Sequence, residues 1–213
     1  MTAPSYDVTY AEARNRVTVA FRIILAIPHL IVMSLWGQLA ELLAVIQWFI
    51  VLVTGQRNDG IWNMQRAYLG YAARVQGYVW LLHDEFPPFG TEPGRPVVFD
   101  FDPQPDPPNR LTNALRLIWA IPVLLLAAVI GIGAYVVAVI SWFAIVITGR
   151  HPRGMWEFVL KFLRFYLEVT AYTLLMTDTY PSFGRATASM ASPTSTPGSP
   201  LPPPPGPPPP GPR

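Results

Sequence analysis

The residues from Leu117 to Ile147 contain no charged side chain, and this apolar run constrains the fold more than any other feature of the chain. An earlier run, from Val17 to Val53, is interrupted by five charged or strongly polar side chains: Arg22, His29, Gln38, Glu41 and Gln47. A membrane-spanning helix needs about 20 apolar residues. Only 13% of the chain is charged, against about 25% in a typical soluble domain. We therefore expect an integral membrane protein.

The two runs belong to an internal duplication. A shift of 94 positions aligns residues 15–90 with residues 109–184 without a gap and gives 29 identities in 76 positions. Self-similarity of this kind indicates one structural unit used twice. Residues 91–108 form the linker between the two units.

Each apolar run is too long for one upright helix and long enough for two. Gly37 and Gly131 occupy the same position in the middle of the two runs, so a turn is predicted at each. We expect a transmembrane helical hairpin over residues 16–54 and another over residues 110–148. The predicted fold class is thus an all-α integral membrane protein.

A third segment in each unit, residues 61–83 and 155–177, combines charged and aromatic side chains. In the second copy four charged residues follow one stripe at helical spacing: Glu157, Lys161, Arg164 and Glu168. An amphipathic, aromatic-rich helix of this kind commonly lies in the membrane interface. The alternative is a third span whose charges face the bundle.

The basic residues predict the topology. All 15 Lys and Arg residues lie outside the two predicted turns. With two spans per unit, every basic residue falls on one side, which the positive-inside rule identifies as cytoplasmic. We predict four spans in the inner (plasma) membrane, both termini in the cytoplasm, and a pseudo-twofold axis along the membrane normal. A shallow re-entrant hairpin is the main alternative.

The flanking segments have their own character. Residues 1–14 form an N-terminal cytoplasmic segment that carries acidic residues and no cleavable signal peptide. Tyr6–Tyr10 and Val97–Phe101 alternate like strands and are predicted to pair at the cytoplasmic surface. Residues 185–213 are predicted to form a disordered tail, because 12 prolines lie between Pro193 and Arg213 and favour extended polyproline II conformation.

Several motifs recur in both copies: Ala-Ile-Pro at 26–28 and 120–122, Trp-Phe at 48–49 and 142–143, Thr-Gly at 54–55 and 148–149, and an Asp-to-Gly segment at 84–90 and 178–184. This pattern resembles the bacterial, largely actinobacterial, membrane family called domain of unknown function 4389. The likeness covers both repeats and leaves out the tail. The second copy departs from it where Val123 stands in place of His29. The resemblance implies an integral membrane protein and supplies no activity or site.

Polar groups inside the apolar runs are the first candidates for function: His29, Glu41 and Gln47. Glu41 would either bind a proton or cation, or reach the outer headgroups. His29 would either relay protons or bond to a backbone carbonyl freed by Pro28. The second copy lacks ionisable groups at these positions, which counts against a symmetric pore.

Four arginines recur at a spacing of six residues: Arg16, Arg22, Arg110 and Arg116. They are candidates for binding anionic lipid headgroups. The alternative is that they anchor the topology by extending to the interface.

Composition and missing motifs exclude several functions. The formal net charge of +2 and the pI of about 9.0 are too small an excess for a nucleic-acid-binding protein. The absence of cysteine excludes disulfides, zinc–thiolate sites and cysteine nucleophiles. No hydrolase, metalloprotease or nucleotide-binding motif occurs. We predict no catalytic residue, no cofactor and no metal site.

Three functions remain. We favour a non-catalytic scaffold or accessory subunit of a membrane complex, which contacts the lipid bilayer and binds a cytoplasmic or membrane protein through its proline-rich tail and amphipathic helices. A small transporter or channel that uses the polar residues of the first hairpin is the alternative. A lipid-modifying enzyme has only its membrane location in its favour.

Overall fold

A computed structural model describes residues 3–90, 96–103 and 106–188. These residues form two strands and six helices. In chain order they are β1 (Ser5–Val8), α1 (Arg16–Thr54), α2 (Asp59–Val79), β2 (Val97–Asp100), α3 (Arg110–Ala114), α4 (Arg116–Thr148), α5 (Arg153–Thr173) and α6 (Phe183–Ala188).

The long helices α1 and α4 run unbroken through the positions where turns are predicted. The first has 39 residues and contains Gly37, and the second has 33 residues and contains Gly131. At about 1.5 Å per residue they are about 58 and 50 Å long. The predicted hairpins over residues 16–54 and 110–148 are therefore wrong, because each apolar run forms a single long helix, preceded in the second copy by the short α3.

Gly37 and Gly131 have a packing role and do not form turns. A Cβ atom at Gly37 would lie 2.9 Å from the hydroxyl oxygen of Tyr68, and one at Gly131 would lie 3.4 Å from the ring of Phe162. Glycine inside a helix costs only about 1 kcal/mol relative to alanine. These glycines therefore let an aromatic ring approach the helix closely, and they do not turn the chain.

The ends of the long helical segments are capped alike in both copies. Asn15 accepts hydrogen bonds from the first backbone N–H groups of α1, and Asn109 does the same for α3. Gly55 and Gly149 end α1 and α4 in the left-handed conformation, both with φ of +74°.

The helix α2 folds back along α1, and α5 folds back along α4. Gln65 donates to the carbonyl of Ala40 (3.2 Å), and the backbone N–H of Asn58 donates to the side chain of Gln47 (3.2 Å). Most aromatic and aliphatic residues of α2 and α5 are buried inside the protein. The prediction of interfacial helices over residues 61–83 and 155–177 is wrong, because their apolar faces pack on the long helices and on each other.

The two repeats pack against each other in opposite orientations. The indole N–H of Trp48 donates to the carbonyl of Asn113, and that of Trp142 donates to the carbonyl of Val19, each at 3.0 Å. The end of each long helix thus lies beside the start of the other, so α1 and α4 are antiparallel. The pseudo-twofold axis therefore crosses these helices, whereas two parallel hairpins would place it along them.

A two-stranded antiparallel ribbon covers α2 and α5. Strands β1 and β2 pair with Tyr6 opposite Phe99 and Val8 opposite Val97. The side chains of Tyr6, Val8 and Val97 are buried in the core. The predicted pairing of these two segments is confirmed, and the fold is not purely α-helical.

Two of the helices, α1 and α4, are long and apolar enough to cross a membrane. In the most apolar 18 residues of each, only 22% of the residues in α1 and 11% in α4 are buried. The core helix of a soluble protein is mostly buried, and these two helices are not. The disordered tail predicted over residues 185–213 begins too early, because residues 185–188 belong to α6, and residues 189–213 lie outside the described residues, as do 91–95 and 104–105 of the linker.

Candidate functional site

One surface of the protein is apolar along its whole length. On α1 the exposed apolar residues recur every three or four positions: Val17, Phe21, Ile24, Pro28, Ile31, Leu35, Leu39, Leu42, Ile46, Phe49 and Val53. On α4 the corresponding stripe contains Ile118, Ile121, Leu125, Val129, Ile132, Val136, Val139, Phe143 and Ile147. We call these two stripes the apolar face. A surface of this extent is typical of a membrane or protein contact.

The opposite side of the protein is polar. Behind the middle of α1, Arg66 on α2 forms an ion pair with Asp100 of β2 (3.3 Å). Behind the middle of α4, Arg164 on α5 forms one with Asp7 of β1 (2.9 Å). The outer face of the ribbon and these ion pairs lie across the helix layer from the apolar face. The protein is therefore amphipathic as a whole.

Between the two surfaces lies a buried arginine cluster. Arg22 of α1 donates to the carbonyl of Tyr78 (2.8 Å) and to the carboxylate of Asp84 (2.5 Å). Its guanidinium also lies over the ring of Tyr78, at 4.5 Å from the centroid. The other carboxylate oxygen of Asp84 accepts the backbone N–H of Asn15 (2.9 Å). Arg14 is 3.7 Å from the same carboxylate.

The second repeat builds the same cluster. Arg116 donates to the carbonyl of Tyr172 (2.9 Å), stacks on the Tyr172 ring and forms an ion pair with Asp178. Asp178 accepts the backbone N–H of Asn109 (3.1 Å). Arg57 from the other repeat donates to Asp178 at 2.6 Å. Each cluster therefore joins the start of a long helical segment to the end of α2 or α5.

The two arginines donate to carbonyl groups at the ends of α2 and α5, and these carbonyls also accept the backbone N–H groups of Leu81 and Leu175. The chain leaves α2 and α5 through a leucine with positive φ, Leu81 at 68° and Leu175 at 61°. This position after a helix usually holds glycine, because a Cβ atom is strained there. Both leucine side chains are buried, and their packing holds the strained turn in place. A positive charge near the C-terminal carbonyls of a helix also interacts favourably with the helix dipole.

The structure separates the polar residues that the sequence singles out on α1. Along the helix axis, His29 and Glu41 are about 18 Å apart and Glu41 and Gln47 about 9 Å apart. Glu41 is exposed and the other two are buried. Gln47 accepts the backbone N–H of Asn58 at the turn into α2. These residues form no common site.

His29 is buried among aromatic side chains. Its Nδ1 is 2.7 Å from the hydroxyl oxygen of Tyr71, and its ring stacks on Phe89 at 4.0 Å between centroids. The predicted hydrogen bond between His29 and a backbone carbonyl freed by Pro28 is wrong, because His29 is hydrogen-bonded to the hydroxyl of Tyr71 instead. The packing explains why the position is buried without requiring proton transfer.

The four recurring arginines divide into two kinds. Arg22 and Arg116 are buried in the clusters described above, so neither extends to a surface as an anchor. Arg16 and Arg110 are exposed. Their guanidinium groups lie against Gly149 and Gly55, so each covers the C-terminal end of the other repeat's long helix.

Asp84 and Asp178 belong to a recurring segment of the sequence, but sequence reasoning missed them as partners of the buried arginines. A signal was present, because Arg22, Tyr78 and Asp84 all recur at the spacing of 94 residues. Leu81 and Leu175 also recur, but nothing in a leucine indicates positive φ.

Two buried histidines predict a pH dependence of stability. Burial, reinforced by the charge of Arg22, lowers the pKa of His83 to about 4. Burial, reinforced by Arg14, lowers the pKa of His151 to about 4. An unfolded histidine titrates near 6.5, so between about pH 6.5 and 4 the unfolded chain binds protons that the folded chain does not. We expect stability to fall across this window as the pH is lowered, and not above it.

Unfolding midpoints in detergent at several pH values measure this effect. The variant His83→Gln/His151→Gln should lose less stability than the wild type between pH 6.5 and 4, whatever its stability at neutral pH. Equal losses in the two proteins would contradict the assignment to these histidines.

Within the described ranges, no group of three His, Asp or Glu side chains is close enough to hold a metal ion. The family model described as Domain of unknown function (DUF4389) matches the chain twice, at residues 16–90 and 110–184. No curated protein and no solved structure matches the chain.

Proposed function

Because the chain belongs to the DUF4389 family in two tandem copies, and because that family is described only as a domain of unknown function, we propose its function from the structure. The protein is a non-catalytic membrane scaffold whose helices α1 and α4 lie in the plane of one leaflet. The observation that carries this proposal is the one-sided apolar face, which extends along both helices to their ends.

Helix length supports an orientation in the membrane plane. The hydrocarbon core of a bilayer is about 30 Å thick, whereas α1 is about 58 Å long. An upright α1 would leave both ends of the stripe, at Val17 and Val53, in water, although they are 68% and 77% exposed apolar side chains. A helix lying in the interface with its apolar side about 5–10 Å deep buries the whole stripe.

The position of the ribbon supports the same orientation. If α1 and α4 stood upright, the ion pairs Arg66–Asp100 and Arg164–Asp7 would lie near the middle of the bilayer, with both open edges of the ribbon. Unpaired backbone groups are not tolerated in hydrocarbon. With the helices in the membrane plane, these groups lie in water above the membrane.

This orientation also retains the predicted one-sidedness of the basic residues. Arg16 and Arg110 lie at the helix ends, and the other basic residues of the described chain lie in the clusters, in the connections or on α2, α5 and α6. All of them are then on the side of the anionic headgroups, which favours binding. Two parallel hairpins are not needed to explain their distribution.

Single-cysteine labelling tests the orientation, and the chain has no cysteine of its own. We choose Val17→Cys, Leu35→Cys and Val53→Cys, all on the stripe of α1. A spin label at each, with lipid-soluble and water-soluble quenchers, reports its depth in vesicles. We expect three similar, shallow depths. A label on the ribbon at Ser5→Cys is the control and should stay in water.

The opposite pattern would overturn the proposal. A spanning α1 places the label at Leu35→Cys near the bilayer centre and the labels at Val17→Cys and Val53→Cys in water on opposite sides. A protein that does not float with vesicles would overturn membrane binding altogether.

We further propose that partners bind on the cytoplasmic side, through the proline-rich residues 189–213. The protein faces of α2 and α5 are already occupied by the long helices and the ribbon, so the tail is the better candidate. Affinity capture from mild detergent should lose specific partners when the tail is deleted, and identical partner lists would contradict this role. The transporter alternative is weaker, because His29, Glu41 and Gln47 do not converge.

A further inference from the structure

A cavity of about 400 Å³ lies between the first half of α1 and the second half of α4. This volume is in the range of ligand pockets. Its walls are almost entirely apolar and include Ala26, Leu30 and Ala138. Ile23, Tyr135 and Val139 line it and are also exposed, so it opens on the apolar face. An occupant would therefore enter from the membrane if the proposed orientation holds.

Among the residues that the structure describes, Arg22 is the one charged residue that lines this cavity. Its side chain is 2% exposed, and within the described part of the chain its Nε has no hydrogen-bond partner. A buried N–H group without a partner is costly. Tyr78 and Asp84 engage two of the five N–H groups of Arg22, and the guanidinium places a positive charge beside the cavity.

The charge around Arg22 favours an anion. Arg14 and Arg22 share the single carboxylate of Asp84, which leaves one positive charge without a counterion in the cluster. An anionic phospholipid would balance this charge. In the proposed orientation its headgroup points up towards the cluster, while its acyl chains descend past Ile23 and Tyr135.

We infer that this cavity binds one anionic phospholipid, whose headgroup is attracted by the positive charge that Arg14 and Arg22 leave uncompensated and whose acyl chain fills the apolar space between α1 and α4. This inference rests on the proposed membrane orientation. The two repeats are not equivalent in this respect. The position that corresponds to Tyr135 in the first repeat is Glu41, whose charge would repel an anionic lipid.

Native mass spectrometry tests the inference on the full chain. The purified protein is exposed to dioleoylphosphatidylglycerol and dioleoylphosphatidylcholine in equal amounts, and the retained lipids are counted. We expect one retained lipid with about a fivefold preference for phosphatidylglycerol, as for one uncompensated basic charge. Equal retention of the two lipids, or none, would overturn the inference.

The variants leave Arg22 in place because it supports the fold. Ala138→Trp fills the cavity and should abolish the preferred retention, whereas Ala128→Trp adds the same side chain at an exposed position of α4 outside the cavity and should not. Tyr135→Glu copies the first repeat and should reduce phosphatidylglycerol retention at least threefold, while Tyr135→Gln should change it less than twofold. Equal behaviour within either pair would overturn the assignment of the lipid to this cavity.

The two proposals fail in distinguishable ways. If the depth measurement shows a spanning α1 while the lipid preference and its variants behave as expected, only the membrane orientation fails. If the depths are shallow and equal but Ala138→Trp retains the lipid, only the lipid site fails.

Discussion

Replacing Asp178 with asparagine is expected to lower the free energy of unfolding by about 3–5 kcal/mol, the usual cost of removing one partner from a buried ion pair. Asp178 is 15% exposed and is the carboxylate that both Arg57 and Arg116 contact. Asparagine keeps the shape of the side chain but leaves two largely buried guanidinium groups without a counterion. In a chain of this length the unfolding midpoint should fall by roughly 10 °C.

Thermal unfolding in a mild detergent, followed by circular dichroism, measures the loss. The control is Glu157→Gln, which breaks the exposed pair between Arg153 and Glu157 and should cost less than about 1 kcal/mol. Adding Arg57→Met to Asp178→Asn should recover part of the stability, because it removes one of the two uncompensated charges. Equal losses for Asp178→Asn and Glu157→Gln would contradict the structural role of the cluster.

The double variant Leu35→Lys/Val129→Lys is expected to remove most of the protein from membranes. The two positions correspond in the two repeats and are 64% and 68% exposed at the middle of the apolar face. A lysine at the centre of a membrane helix costs about 2.5–3.5 kcal/mol, and one at interfacial depth costs less. Two such charges should lower the ratio of floated to unfloated protein at least tenfold.

Cell-free synthesis in the presence of vesicles, followed by flotation after a carbonate wash, measures this ratio. The control is Asn63→Lys/Val98→Lys, which adds the same charges at exposed positions on α2 and on the outer face of the ribbon. This variant should float like the wild type. If both double variants float equally well, the apolar face is not the membrane contact.

Much of the fold follows from local sequence signals. The apolar runs, the capping residues Asn15 and Asn109 and the glycines Gly55 and Gly149 mark the ends of the long helical segments, because capping depends only on neighbouring residues. The duplication predicts that the two repeats have the same secondary structure and similar internal contacts. The strand that precedes each unit is also predicted, from the alternation of apolar and polar residues.

The arginine clusters could be predicted only in part. The central arginine, tyrosine and aspartate of each cluster recur in both repeats, whereas Arg14 and Arg57 have no counterpart. The contacts within the clusters depend on a strained leucine turn and, for Arg57, on a residue from the other repeat. Neither the turn nor the partner leaves a local pattern, because burial and packing hold the backbone there.

The two long apolar segments, their duplication and their approximate ends all follow from the order of the amino acids. That each segment is one continuous helix follows from how the helices pack. The length of an apolar run limits a helix that stands upright in a bilayer, but a helix lying along the membrane has no such limit. Gly37 is equally compatible with a turn and with a close approach by Tyr68, and that choice depends on how α2 packs on α1.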